Sequence, residues 1–369
     1  MSELIVEVCK IEDVCTHPNA DRLDIATVKG WNCIVGREEF NPGDVCVYIP
    51  IDSILPEALE ERLFSGTQIK LKNHRIRTIK LRGVISQGLV IPLDKLSLVG
   101  TPTGTDVKKL LNITKHEPKV KQPNNMAGQR RQTKRHHHPD FKKYTDLNHW
   151  RNYPRALEEG EEVVISEKIH GTNFRCGWLP YKPRTLFAKL KNYLWPFRKE
   201  WEFVFGSHNI QLQDGSSKQF FDTNVYARIV KQYMLKGQME NMKGYLFYGE
   251  IYGDGIQTGY NYGLTNGRIK VVGIDIFSTE EDKYLDQYVA QAYCSALGVQ
   301  HAPVLYRGKY SREAMDDHVT GRSVLYPKQR HREGIVVKPL HDRNGHCGRV
   351  VLKYLNTDYL LLKENSEWH

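Results

Sequence analysis

Between residues 115 and 143 the chain reads KHEPKVKQPNNMAGQRRQTKRHHHPDFKK, with almost no apolar side chains and no hydrophobic period. Such a stretch buries too little surface to offset its own ordering entropy, so it is expected as a basic flexible linker or long loop that divides the 369-residue chain in two. The flanking parts are each long and apolar enough for a core of their own. Nine Lys/Arg against two Asp/Glu give this segment +7, most of the chain's net +10. The charge that favours a polyanionic partner therefore sits mainly here, as a phosphate-attracting arm or a solubilising tether.

Residues 1–105 carry short β-branched runs (LIVEV, DIATV, CIVG, DVCVYIP, TIKL, GLVIPL) separated by turn signals such as HPNADR, NPGD and LRG. Short strands at that spacing predict a small barrel. The heptapeptide HPNADRL resembles the opening of OB-fold modules that bind structured RNA, which implies a nucleic-acid-binding module over 1–105. Within it Arg75, Arg77, Lys80 and Arg82 cluster, and Arg75 and Arg77 share a face if the segment is extended. A phosphate-tracking groove and a solvated strand face fit this pattern equally.

Residues 106–143 are expected to connect the barrel to a second domain, 144–369. There strand-like runs (EEVVISEKI, EFVFGS, GYLFYGEIY, RIKVVGIDIF, EGIVVKP, RVVLKYL) alternate with the helix-like FDTNVYARIVKQYM and YLDQYVAQAYCSALG. The fold class expected is α+β: an OB-type barrel followed by a mixed α/β domain with antiparallel sheets. Neither GxGxxG nor GxxxxGK[ST] occurs, which argues against Rossmann and P-loop chemistry. Seven cysteines without a CxxC pair indicate neither a disulfide framework nor a structural zinc site. No apolar run approaches the roughly 18 residues of a membrane span, and the acidic start lacks the bases of a secretory signal, so an intracellular protein is expected.

The chemistry concentrates in the second domain. Lys168, in ISEKIHGTNF, follows an apolar strand and precedes Gly171, which lets the backbone turn sharply beneath a bound group. A lysine so placed, with its pKa lowered by burial or nearby cations, can attack an electrophile such as the α-phosphate of a nucleotide. Glu250 ends a very apolar strand and Glu333 opens another, where a carboxylate can hold a divalent metal or a ribose hydroxyl. Lys338 and Lys353 follow. Strict alternation puts Glu333 and Lys338 on opposite faces, so a shared pocket requires curvature or a bulge.

Together EKIHGTNF, GEIYGDGIQ, EGIVVKP and GRVVLKYLN resemble, in order, the first, third, fourth and fifth motifs of the covalent nucleotidyltransferases, and within them the phage-type RNA ligase 2 group. The ATP-grasp-like antiparallel sheets expected here come from that resemblance. So do the roles. Lys168 would become Lys-AMP, and His170 would assist AMP transfer to an RNA 5′-phosphate. Glu167, Gly171 and Asn173 would line the nucleotide site. Glu250 would touch the ribose or a metal shell, and Glu333 would orient the divalent ion, Mg²⁺ or Mn²⁺. Lys338 and Lys353 would sit against the phosphates, with Arg151 against the leaving phosphates. Asp275 falls where the group has an aspartate, here beside metal, and Ile274 takes the adenine-stacking position in place of an aromatic. Leu355 stands where a second lysine is usual, and His208 replaces a nick-contacting arginine.

The resemblance implies an ATP-dependent RNA ligase acting on 3′-OH and 5′-phosphate ends, as a monomer, on nicked duplex or broken structured RNA. A separate kinase or phosphatase would prepare the ends. It would be cytoplasmic or nucleoid-associated, in a cell or encoded by a phage or virus. A DNA ligase or capping guanylyltransferase, whose first motif typically reads KxDG, and a non-catalytic RNA-binding protein are the alternatives.

Overall fold

The computed structural model describes residues 4–67, 69–116, 137–182, 200–212, 224–257 and 259–362. These fall into two compact units: 4–116 with 148–154 and 360–362, and 137–147 with 155–359. Among the described residues no helix is long and apolar enough to cross a membrane.

The first unit holds β1 (Glu7–Lys10), β2 (Asp13–Thr16), β3 (Leu23–Val28), β4 (Trp31–Gly36), β5 (Val45–Ile49), β6 (Ser53–Ile54), α1 (Glu57–Leu63), β7 (Thr78–Leu81), β8 (Val84–Gln87), β9 (Leu89–Pro92), β10 (Thr114–Lys115) and β11 (Asn148–His149). Its ladders β1–β5–β9, β2–β3–β4, β7–β8 and β6–β10 are antiparallel, as short runs joined by tight turns dictate. Two apolar clusters fill it, one around Val8, Val47, Ile49 and Ile91 and one around Ala26, Val28, Cys33 and Cys46.

The HPNADRL segment has a structural task here. His17 Nε2 lies 3.2 Å from the Leu81 carbonyl oxygen, and Asn19 Nδ2 donates to the Arg82 carbonyl at 2.9 Å. These bonds pin the β7–β8 turn, where Arg82 (φ 43°) and Gly83 (φ 94°) both adopt left-handed backbone, as a two-residue hairpin loop requires.

The expected barrel boundary at 105 moves outward. Glu7 bridges to Asp106, and Val107, Leu111 and Ile113 are buried in the first core. At the other end of the expected linker, His138, Phe141 and Tyr144 are buried in the second unit. His138 N–H donates to Gln211 Oε1 (2.6 Å), and the guanidinium of Arg175 donates to the Phe141 carbonyl (2.6 Å) while stacking 4.0 Å from its ring. Single buried residues such as Phe141 in a polar stretch leave no mark on a compositional average. Residues 117–136, which carry most of the basic run, lie outside the described residues.

The second unit is built on two antiparallel sheets. One runs β23 (Leu352–Leu355), β20 (Gly334–Pro339), β12 (Glu162–Lys168), β19 (Val304–Lys309). The other runs β15 (Gln211–Leu212), β14 (Trp201–Gly206), β13 (Thr172–Pro180), β16 (Tyr245–Gly253), β17 (Ile269–Ser278), β18 (Lys283–Tyr284). A short hairpin, β21 (Asn344–Gly345) and β22 (Gly348–Arg349), precedes β23. Helices α2 (Val225–Gln232) and α3 (Gln287–Ala296) pack on the second sheet through Ala227, Ile229, Ala290 and Cys294, and α4 (Arg312–Val319) lies against β19, β20 and β23. Burial on both faces explains why Val163, Val164 and Ile165, or Phe247 and Tyr248, run apolar without alternation.

All seven cysteines are free thiols: five are buried, Cys347 is half-buried and Cys15 is exposed. Burial above all pushes the thiols of Cys9, Cys33 and Cys46 up to about 12.

Candidate active site

Lys168 is the last residue of β12, opposite Gly334 of β20. Ladder partners share a face, and alternation carries that face along each strand. The rows Lys168–Gly334, Ser166–Val336–Lys353 and Val164–Lys338 therefore put all three lysines on one side of the first sheet. A β-carbon at Gly334 would lie 2.2 Å from the Tyr354 carbonyl oxygen, so the strands meet closely there only because the residue is glycine. Glu333 stands just outside β20, where the ladder no longer dictates its direction, and its Oε1 accepts a 2.6 Å hydrogen bond from Lys168 Nζ. Lys168 is 4% exposed and Glu333 1%.

The second sheet supplies the rest. Gly171 follows Lys168 with no room for a side chain, a β-carbon there meeting the Ile251 carbonyl at 2.2 Å and Glu250 Cγ at 2.8 Å. Asn173 and Glu250 are ladder partners and face the same side. Burial pushes the Glu250 carboxyl up to about 8; Lys168 opposes this, Glu333 adds to it, and the backbone N–H of Gly171 opposes it. Asn173 Oδ1 is buried with no hydrogen-bond partner among the described residues.

His170 is 1% exposed, with Nδ1 3.2 Å from the Tyr359 hydroxyl and 3.6 Å from Glu333 Oε2, and its ring meets Tyr260 and Tyr359 edge-on. Its backbone N–H donates to the Tyr262 hydroxyl at 2.8 Å, and Gln257 Nε2 donates to the Gly171 carbonyl at 2.7 Å. None of these tyrosines was singled out from the sequence. The available signal was GYNYG, which follows the Glu250 motif and carries Tyr260 and Tyr262 two residues apart.

Several expected site residues lie elsewhere. Glu167 alternates to the opposite face from Lys168, and its Oε2 accepts the Val324 N–H at 2.7 Å, so its side chain braces a loop and does not line the lysine's face. Asp275, expected beside metal, is saturated by the protein. Tyr144 donates to Oδ2 at 2.6 Å, Lys338 to Oδ2 at 2.8 Å and Gln287 to Oδ1 at 2.7 Å, with Arg349 Nη1 3.0 Å from Oδ2. Burial raises its pKa, yet the charges of Arg349 and Lys338 hold the carboxyl well below the usual carboxylate range. Lys338 shares the face of Lys168 but opposes Val164, four residues back along β12, and is committed to Asp275 and the Ile274 carbonyl. Ile274 packs beside the cluster of Phe141, Tyr144 and Tyr248. Lys353 is buried on the lysine face.

Arg151 belongs to the first unit, its guanidinium 4.4 Å above the Trp31 ring. His208 Nε2 lies 3.6 Å from Asp146 Oδ1, and burial lowers its pKa. Of the four barrel cations, Arg75 is 4% exposed and its Nε donates to Asp52 Oδ1 at 2.7 Å, which corrects its expected role as a surface RNA contact. Arg77, Lys80 and Arg82 are exposed.

Among the described residues no three His, Cys, Asp or Glu side chains converge as a metal cage. The oxygen donors Glu333, Glu250 and Asn173, one of them unpartnered and one with its pKa raised, nevertheless fit a hard divalent cation that takes its remaining ligands from phosphate and water.

A buried strand-end lysine paired to a carboxylate just before the neighbouring strand, above a glycine cradle, is the site of a nucleotidyltransferase-type enzyme. A family model described as RNA ligase matches residues 161–355, and an OB-fold domain model matches residues 5–93. The chain belongs to the RNA ligase family. Its fold is similar to that of the solved Naegleria gruberi RNA ligase with PPi, at TM-score 0.73 and 23% identity over 97% of this chain and 98% of that one. A lysine-to-alanine variant of that ligase with ATP and Mn gives TM-score 0.74 at 23% identity over 96% and 98% of the two chains. An aspartate-to-alanine variant without ligand gives 0.74 at 23% over 98% and 98%.

Proposed function

We propose that the chain is an ATP-dependent RNA ligase that joins a 3′-OH to a 5′-phosphate through a lysyl-AMP at Lys168, in intracellular RNA repair. The observation that carries this reading is the buried pair of Lys168 Nζ and Glu333 Oε1 at 2.6 Å. Only an amine with a free lone pair is a nucleophile, so any proton that occupies it must leave before it attacks. Glu333 Oε1, within hydrogen-bond reach at 2.6 Å, is placed to accept that proton.

In the first transfer the Nζ lone pair forms a bond to the ATP α-phosphorus and the bond to pyrophosphate breaks. In the second, an RNA 5′-phosphate oxygen attacks the same phosphorus, the N–P bond breaks, and the amine regains its proton. His170, its backbone N–H held by Tyr262 and its Nδ1 3.6 Å from Glu333 Oε2, would assist that exchange. In the third, the RNA 3′-oxygen attacks the activated 5′-phosphorus and AMP leaves. Each is an in-line displacement in which positioning and charge neutralisation dominate. Lys353, on the lysine face, is a second lysine that would approach the phosphates. A divalent ion held by Glu333, Glu250 and Asn173 would supply further positive charge toward the phosphate oxygens. Arg77, Lys80 and Arg82 on the OB module are the cations that would follow the RNA backbone.

The test is intact-mass measurement after incubation with ATP and Mg²⁺, followed by sealing of nicked RNA and DNA duplexes. One added AMP is expected on the wild type and none on Lys168→Ala. An adduct that survives in the variant overturns the assignment of the nucleophile. A GMP adduct, or sealing restricted to DNA 3′-OH strands, would favour the capping or DNA ligase reading.

A further inference from the structure

Between α4 and Glu333 runs GRSVLYPKQRHR, residues 321–332. Four of these twelve residues are Lys or Arg, one is His, and none is Asp or Glu. Arg322, Lys328 and Arg330 are exposed. Arg322 donates one N–H to the Pro327 carbonyl, while Lys328 and Arg330 have no side-chain partner among the described residues. Among the acids beside the loop, Asp358 lies 3.6 Å from His331, and the buried Glu167 accepts from Val324 and faces Arg332.

The loop is held in place by the neighbourhood of the reactive lysine. Glu167, adjacent to Lys168, accepts the Val324 N–H at 2.7 Å, and Tyr260, edge-on to His170, donates to the His331 carbonyl at 2.9 Å. Asn356 Nδ2 donates to the Arg332 carbonyl at 3.1 Å, and Arg332 donates to the His318 and Arg322 carbonyls. The residue after the loop is Glu333 itself. Because the backbone is already ordered, an anion that meets these cations has only their side chains left to immobilise.

We propose that residues 321–332 form a docking site for the phosphodiester backbone of the RNA strand next to the reacting end, with Lys328 and Arg330 as its phosphate contacts. The inference rests on the ligase reading and extends it. A terminus placed at Lys168 carries further phosphates at every nucleotide along its strand, and Arg330 and Lys328, three and five residues before Glu333, are the exposed cations placed to meet them. No base edge is read by such contacts, so they supply grip without sequence preference.

The test measures the affinity of a nicked RNA duplex against salt concentration for three proteins: wild type, Lys328→Gln/Arg330→Gln, and a control with equal charge loss, Lys231→Gln/Lys243→Gln. Removal of two phosphate contacts is expected to lower the slope of log K against log salt by about 2 in the loop variant and to leave the control unchanged. An unchanged slope in the loop variant, or an equal fall in the control, overturns the proposal. Should the double variant fail to fold, the single variants are read the same way, each with an expected fall of about 1. Absence of any AMP adduct on the wild type with ATP and Mg²⁺ overturns the ligase reading instead, and the two failures are thereby distinguished.

Discussion

A lysine only 4% exposed is tolerable because a carboxylate meets it at 2.6 Å, and a second carboxylate beside them cannot ionise as easily. Glu250 takes up a proton on folding at any pH between the ordinary glutamate value and about 8. In that window the native state binds the extra proton, so stability falls as pH rises. Glu250→Gln removes the effect. Its melting temperature is expected to gain steadily on that of the wild type from pH 5 to pH 8 in nucleotide-free protein, and parallel curves would refute the burial argument. The sequence made Lys168, Glu250, Glu333 and His170 legible, since each sits in a motif of distinctive order. It could not show which way Glu167 points, because one residue of alternation on β12 reverses it. Nor could it show that Arg75 is spent on Asp52, since partners distant in sequence leave no local trace.

The two sheets of the second unit are tied at the end away from Lys168 by a charge cluster. Lys338 of β20 and Arg349 of β22 meet Asp275 of β17, and Arg349 Nε also reaches Asp342 at 2.6 Å. Two cations thus face two carboxylates, with Tyr144 and Gln287 completing Asp275. Asp275→Ala leaves Lys338 and Arg349 buried without their shared partner, a loss expected to cost about 3–5 kcal/mol in urea denaturation. Asp275→Leu/Lys338→Met, which removes both members of one pair, is expected to recover part of that loss. A double variant at least as unstable as the single would show the pair to be an independent source of stability. The strands that build this cluster were legible as apolar runs. RVVLKYL was not one strand, however: the chain breaks between Arg349 and Leu352, which is how Arg349 comes to serve Asp275 while Lys353 stays on the lysine face.

At the scale of the molecule, composition located the polar divide but could not draw its edges, because Val107, Leu111 and Ile113 on one side and Phe141 on the other are anchors too sparse to form a pattern. The barrel's cations separate into two kinds. Arg77→Gln/Lys80→Gln/Arg82→Gln is expected to weaken RNA binding with a shallower salt dependence, whereas Arg75→Met is expected to appear chiefly as a lower melting temperature. Calorimetry beside RNA titration separates the two, and a salt dependence unchanged in the triple variant would remove the hairpin from the RNA path. The distribution of sulfur has a practical corollary. With Cys9, Cys33 and Cys46 walled off and reluctant to ionise, and Cys15 open on β2, a maleimide fluorophore finds its preferred handle on the OB module, so the native chain brings its own attachment point for an optical reporter.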